Sequence, residues 1–310
     1  DFISTYFDDQ MTNGNPFPLA VNAEKSFQGS IVLGKGFVLE PAMATALISR
    51  NPKNKDVLFP YLNGEDLNSR SDQSPSRWVI NFFDWPLDRD SAPEDYTGPV
   101  AADYPDCLEI VERLVKPERT RVDEHGKFAL RTPLPQRWWH YADKRPALYR
   151  TIAPLERVMG IVLHTKGYYI SFVERGTVYS HALAIFALEA KSIYSLLCSS
   201  FSEYWAWKNC STLGSGLRYT PSSAFETFPF PPGFEPNRDL GVSVPLCEAS
   251  SPLSHKDATA QREAGTANET RTSSVSPGDA SLRDRLETLG SRLDADRREI
   301  MLKLDIGLTK

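Results

Sequence analysis

Arg137-Trp138-Trp139-His140-Tyr141 sets a guanidinium, two indoles, an imidazole and a phenol side by side. A guanidinium forks onto phosphate or guanine edges, and flat aromatic rings stack on bases. That chemistry recognises nucleic acid without making or breaking a bond. One indole is expected to turn inward, with Arg137 outward on the solvated face. Asn63-Gly64-Glu65-Asp66-Leu67-Asn68 carries amides and carboxylates able to read adenine or accept from cytosine N4, with Arg70 and Arg77 beyond it. Leu213-Gly214-Ser215-Gly216-Leu217 precedes Arg218-Tyr219-Thr220, and its bare backbone allows close approach to a phosphate. Both stretches also fit ordinary turn chemistry.

Bond-making chemistry is thin by comparison. Gly34-Lys35-Gly36 lacks the third glycine and later acid of a dinucleotide loop and reads as a tight turn. No G-x-S-x-G, H-E-x-x-H or Walker A pattern occurs. His125, His140, His164, His181 and His255 are scattered, without an evident Ser or Cys partner. Glu189-x-Lys191 matches the tail of a nuclease metal site, but one E-x-K is expected by chance in so charged a chain. Asn15-Pro16-Phe17-Pro18 has its second proline displaced from the loop with which amino-methyltransferases hold an extruded base, and reads as an extended linker. Cys107, Cys198, Cys210 and Cys247 lack metal-ligand spacing, and Cys107 and Cys198, on apolar faces of expected helices, fit buried free thiols in a reducing cytoplasm. Neither a catalytic residue, a metal site nor a cofactor site is assigned to the chain itself.

Charge is acidic in sum and segregated in detail. Thirty-five Lys and Arg against 40 Asp and Glu give a net charge of -5, which argues against a small, wholly basic module. Yet 84–111 holds eight acids and one base, whereas 112–157 holds eleven bases (Arg113, Lys116, Arg119, Arg121, Lys127, Arg131, Arg137, Lys144, Arg145, Arg150 and Arg157) against six acids. The cations are gathered where the aromatic cluster lies.

The elements that must position these groups are of mixed type. A short hairpin or irregular strand pair is expected around Gly34 and Gly36, then a helix from Pro41 to Ser49. Trp78–Phe83 reads as a buried strand, and Pro105 opens a helix that Pro117 closes. Val158–Leu163, Tyr168–Val173 and Val178–Phe186 read as strands, followed by one long helix from Ile193 to near Lys208. Strands and helices that do not alternate regularly predict an α+β fold. From Gly233 to Ser281 the composition predicts a disordered linker. Beyond it Leu282, Leu286, Leu289, Leu293, Ile300 and Leu304 recur at helical spacing, forming an amphipathic helix that needs a partner surface. No apolar run reaches the roughly 20 residues of a membrane helix. Starting at Asp1 without a leader, the chain reads as a segment of something longer.

Five stretches together resemble the target-recognition (TaqI-like specificity) region of adenine-specific DNA methyltransferases in the single-chain type IIG and IIL restriction-modification group. They are SFQGSIVLGKGFVL from Ser26, NPKNKDVLFPYLNGEDLNSRSDQSPSRWVINFFDWPL from Asn51, YPDCLEIVERLVKPER from Tyr104, RWWHYADKRPALY from Arg137, and LRYTPSSAFETFPFPP from Leu217. DRREIMLKLDIGLT from Asp296 is similar to the C-terminal end of such proteins. The resemblance covers about two thirds of the chain. It implies a cytoplasmic module that grips double-stranded DNA while an upstream domain flips an adenine and methylates it with S-adenosylmethionine.

The cofactor and Asn-Pro-Pro-Tyr motifs of that upstream domain do not occur here, so no catalysis is expected from this chain alone. The implied organisation is a linker over 1–25, a recognition domain over 26–232, the disordered linker over 233–281 and a C-terminal helix over 282–310. Phosphate or base contact is expected from Asn63, Asn68, Arg70, Arg77, Lys116, Arg119, Arg137, Trp139, Lys144, Arg145, Arg218 and Tyr219. Two alternatives stay open. The chain is the C-terminal piece of the methyltransferase itself, or it is a protein- or carbohydrate-binding module that stacks its ligand on the tryptophans.

Overall fold

The computed structural model describes residues 16–236 and 277–309, with 277–281 described by backbone alone. Proline sets where helices begin, because its fixed φ suits a first turn whose N–H needs no partner. Pro41, Pro105, Pro117 and Pro146 all stand there. The helices are α1 (Pro41–Arg50), α2 (Gly64–Ser69), α3 (Pro105–Leu114), α4 (Lys116–Arg119), α5 (Pro146–Ile152), α6 (Lys191–Leu197), α7 (Ser200–Asn209) and α8 (Pro277–Leu304). Pro117, expected to end a helix, instead opens the short α4. The long helix expected from Ile193 is two helices, because Ser199 Oγ accepts the Ser202 N–H and caps α7.

The strands are β1 (Ser26–Gln28), β2 (Val38–Leu39), β3 (Leu58–Leu62), β4 (Arg77–Ile80), β5 (Arg157–Val162), β6 (His164–Thr165), β7 (Ser171–Glu174), β8 (Val178–Tyr179), β9 (Leu183–Phe186), β10 (Ser211–Leu213) and β11 (Gly216–Arg218). They form three small sheets, ordered β2-β4-β3-β8, β1-β9-β5-β7 and β10-β11-β6. Every pairing is antiparallel except β3 with β8. The fold is α+β. The expected hairpin around Gly34 is a 3-10 turn, Lys35–Phe37, that leads into β2. The single strand expected over Val178–Phe186 divides between two sheets, turning at Ser180, whose N–H bonds the Leu62 carbonyl and whose carbonyl accepts from Leu183. That run therefore joins the sheets instead of lengthening one.

Two main clusters form the core. Phe37, Val79, Phe82, Val111, Trp138 and Trp139 pack between the first sheet and α3. Phe172, Phe186, Tyr194, Phe225, Phe228 and Phe230 pack between the second sheet, α6 and the FETFPFP segment. Before β1, the fully buried Asn22 donates its amide to the carbonyls of Phe225 and Phe228 at 3.0 and 2.8 Å, tying the start of the described chain to that segment.

The C-terminal helix docks on this same chain. Ala190 offers α6 no side-chain cap, and the Glu287 carboxylate supplies one from α8, accepting from Lys191 and Ser192 N–H at 3.2 and 2.7 Å. Ser195 Oγ donates to the Leu286 carbonyl, and Arg297 donates to the Ile170 carbonyl over the Tyr194 ring. The docked face is Leu286, Gly290, Leu293, Arg297 and Met301, whereas Leu282, Leu289, Ile300 and Leu304 of the expected stripe are exposed. The stripe is turned because the closest approach uses a glycine and the seam includes an arginine. A Cβ at Gly290 would overlap the Lys191 carbonyl oxygen and stand 2.7 Å from Ser195 Oγ. Gly290→Ala should therefore undock the helix, even though alanine favours helix over glycine by about 1 kcal/mol. Limited proteolysis should cut 277–304 faster in the variant; unchanged protection would show that α6 yields at little cost. The linker expected over 233–281 lies mostly outside the described residues.

Candidate nucleic-acid interface

The aromatic motif turns out to be a mount. Trp138 and Trp139 are 6% and 9% exposed, so neither indole offers a stacking face. Trp139 Nε1 and His140 Nε2 both lie on the Trp85 carbonyl, at 3.0 and 2.7 Å, while Lys116 Nζ sits 4.9 Å above the Trp138 ring. The expected division, one indole inward and one outward, is corrected: both are core, and Arg137 alone faces solvent.

Arg119 is 1% exposed and reads no surface. Its guanidinium donates to the carbonyls of His140, Val32 and Leu33 and lies 5.2 Å from the Phe37 ring centroid. Burial pulls its pKa down to about 10, which leaves it charged at neutral pH. The bond to His140 closes the base of an excursion that leaves the core at Arg119 and returns at Trp138. Tyr219, 3% exposed, belongs to the second core cluster beside Phe186. Arg119, Trp139 and Tyr219 are thus placed in the framework.

What the mount carries is a hairpin whose every residue from 121 to 129 is exposed. Val122 bridges Phe128, Asp123 N–H bonds the Lys127 carbonyl at 2.7 Å, and Ala129 N–H bonds the Arg121 carbonyl at 2.9 Å. Asp123 is spent on the turn, its Oδ1 accepting from the His125 and Lys127 N–H groups, with Gly126 at φ +73°. Val122 and Phe128 stand 53% and 48% exposed between the cations. Arg121, Lys127, Arg131 and Arg137 form no ion pair among the described residues.

Five of the other predicted cations are compensated. Arg70 forks onto Asp72 at 3.0 and 3.1 Å, which holds that carboxyl well below its ordinary range. Arg77 pairs with Glu40, Lys116 with Glu112, Lys144 with Asp84 and Arg145 with Asp143, and Arg145 also donates to Gln28 Oε1. Exposed pairs of this kind contribute about 0–1 kcal/mol, so they exchange readily for another anion. Arg218 is exposed on β11 opposite His164 and forms no ion pair among the described residues. The Gly-rich stretch before it is the β10–β11 turn.

The polar loop expected to read bases is helix α2. Asn63 Oδ1 accepts from Glu65 and Asp66 N–H at 2.7 and 3.0 Å, and Asp66 Oδ2 reaches back to Asn63 N–H, a complete capping box. Asn68 donates to Thr165 Oγ1, and its carbonyl accepts from Thr309 of the C-terminal tail. Residues 121–131, which the charge pattern marked but the motif reading left out, supply the free cations instead. Their signal in the sequence was the string of bases flanking an Asp-x-x-Gly turn.

His140 makes the mount sensitive to acid. Burial lowers its pKa to about 4 from an ordinary 6.5, and its Nδ1 is buried without a partner. The unfolded chain takes up this proton at a pH where the folded chain does not. The histidine's contribution is therefore complete above pH 6.5 and is lost as pH falls toward 4, by up to about 3 kcal/mol. Urea titrations from pH 7 to 4 should show this slope, and His140→Gln should flatten it. An equally steep loss in the variant would assign the slope to other groups.

Mount and hairpin define an α+β protein that holds a ribbon with exposed charged and apolar residues out to solvent. Among solved structures the chain is similar to MmeI, a type IIL restriction-modification enzyme in complex with DNA, at 16% identity and a TM-score of 0.48, over 72% of this chain and 26% of that one. The chain thus spans about a quarter of that enzyme's length. No family model matches, and no curated protein matches. No helix among the described residues is long and apolar enough to cross a membrane.

Proposed function

We propose that the chain is a DNA target-recognition module of a restriction-modification system, binding duplex DNA through the 121–131 hairpin and Arg137. The observation that carries this is the set of four unpaired cations on and beside one projecting, two-stranded ribbon in a protein whose net charge is acidic. The major groove admits a two-stranded ribbon, cations at its edges meet phosphates, and an apolar tip residue such as Phe128 can meet a thymine methyl. Arg218 and the weakly paired Arg70, Arg77, Lys116, Lys144 and Arg145 are secondary contacts in this reading. The sequence resemblance adds the partner: an adenine methyltransferase domain that uses S-adenosylmethionine, encoded outside this chain.

Fluorescence anisotropy with a randomised duplex tests the reading. Log affinity should fall linearly with log salt, with a slope of at least about -3 if the four cations meet phosphates. Absence of duplex binding at low salt, or binding indifferent to salt, would overturn it. With Trp138 and Trp139 in the core, the carbohydrate-stacking alternative loses the tryptophan face from which it was read.

A further inference from the structure

A second feature is independent of the hairpin. A cavity of about 390 Å³ opens between the end of β4 and helix α5, with Phe59, Asn81, Phe83, Tyr149, Arg150 and Arg175 in its lining. Clefts that take small organic ligands run from roughly 300 to 1,000 Å³. The walls are aromatic and ordered: Phe83 meets Phe59 edge-on at 5.6 Å and tilts against Trp85 at 5.0 Å, and Tyr149 is fixed by its hydroxyl to Ser30 and the Tyr179 N–H.

Phe83 is held in the left-handed region at φ +52°, with the residue 38% exposed. An aromatic residue rarely adopts that conformation, and backbone strain of this kind gathers at ligand sites. Here it presents the ring at the cavity instead of folding it into the core. Asn81 sets the turn, its Oδ1 accepting the Phe83 N–H at 2.9 Å, which leaves its amide donors without a partner among the described residues. The charged groups of the lining sum to an excess of cation. Lys144 is neutralised by Asp84, Arg175 spends one nitrogen on the carbonyls of Ala153 and Leu155, and exposed Arg150 forms no ion pair among the described residues.

We propose that this cavity binds a nucleotide: a planar heteroaromatic ring against Phe83 and Phe59, its edge read by Asn81, its phosphate met by Arg150 and Arg175. Aromatic faces, a carboxamide and uncompensated guanidinium groups are the three recognition elements such a ligand needs, since rings stack, amides read base edges and guanidinium takes phosphate. An aliphatic ligand would leave the amide and the cations unused. The ring comes either from a free nucleotide or from an unstacked base of DNA, and the two sources are separable by experiment.

Calorimetric titration of the full chain with the four nucleoside monophosphates, and anisotropy with matched and singly mismatched duplexes, test the site. Phe83→Gly removes the ring, and relief of the left-handed strain offsets part of the packing lost against Phe59 and Trp85. Arg150→Gln, at an exposed position, is the second variant, and it keeps the test sound if the first destabilises the fold. Saturable binding of a monophosphate, weakened at least tenfold in both variants, assigns a free nucleotide. A preference for the mismatched duplex, lost in both variants, assigns a DNA base. Neither ligand binding in this way, or binding that both variants leave intact, would overturn the proposal. Matched-duplex affinity should be the same in both variants and the unsubstituted protein, so failure here is distinct from failure of the hairpin reading.

Discussion

Arg119→Ala is expected to cost about 4 kcal/mol of stability, the largest loss from any single side chain described here. Two buried carbonyls, those of His140 and Val32, and the part-buried carbonyl of Leu33 lose their guanidinium partner, and an unpaired buried polar group costs about 1–3 kcal/mol. The cavity left beside Phe37 adds to this. Removing a charge buried without a carboxylate partner acts the other way, since its desolvation is relieved. The carbonyls decide the sign, because they cannot move to water without opening the base of the excursion. Set against a typical stability of about 5–15 kcal/mol, the loss is severe. Arg119→Lys should recover only part of it, as one ammonium cannot span three acceptors in a planar fork. Urea denaturation measures both. At a temperature where an Arg119→Gln variant is folded, its DNA salt slope should equal that of the unsubstituted protein; a slope smaller by about 0.9 would place Arg119 on a phosphate and refute its role as a mount.

Arg121→Gln, Arg131→Gln and Arg137→Gln together should weaken duplex binding roughly 100-fold at 0.15 M salt and leave the fold intact. Each phosphate contact contributes about 0.9 to the logarithmic salt slope, so three contacts remove about 2.7, which amounts to two decades between 1 M and 0.15 M salt. All three residues are exposed and without an ion pair among the described residues, so their neutralisation strands no carboxylate. Exposed substitutions of this kind change stability by about 0.5 kcal/mol or less. The loss should be equal across sequences, since phosphate contacts carry register and not base identity. Phe128→Ala should instead narrow the difference between preferred and random sites. A triple variant that binds with the original slope would move the interface away from the hairpin.

Much of the architecture was legible in the chain. Prolines at first turns located α1 and α3, and continuous apolar runs located β4 and β5, while α5, which Pro146 also opens, went unread. These signals are local, because φ restriction and side-chain period act within a few residues. The candidate site was legible only as a region. Charge segregation marked 112–157, but within it the motif reading favoured Lys116, Arg119, Arg137, Trp139, Lys144 and Arg145, and all of these except Arg137 are either buried or paired. A sequence shows that a residue is cationic; whether a carbonyl or carboxylate already claims it depends on chain segments far away. Val32 lies 87 residues from Arg119, and Trp85 lies 54 from Trp139.

The same distinction holds for the C-terminal helix. Its periodicity required a partner surface, and one exists on α6, yet the docked face is set by Gly290 and Glu287, residues that a hydrophobicity pattern does not weigh. By itself the amino-acid order determined the α+β class, the starts of α1 and α3 and the place where cations gather, since each follows from short-range sterics or from composition. Only the tertiary structure decided which cations stay free, which aromatic residues are core and which stripe of α8 is covered. Those outcomes turn on burial and on hydrogen-bond partners that packing brings together from distant parts of the chain.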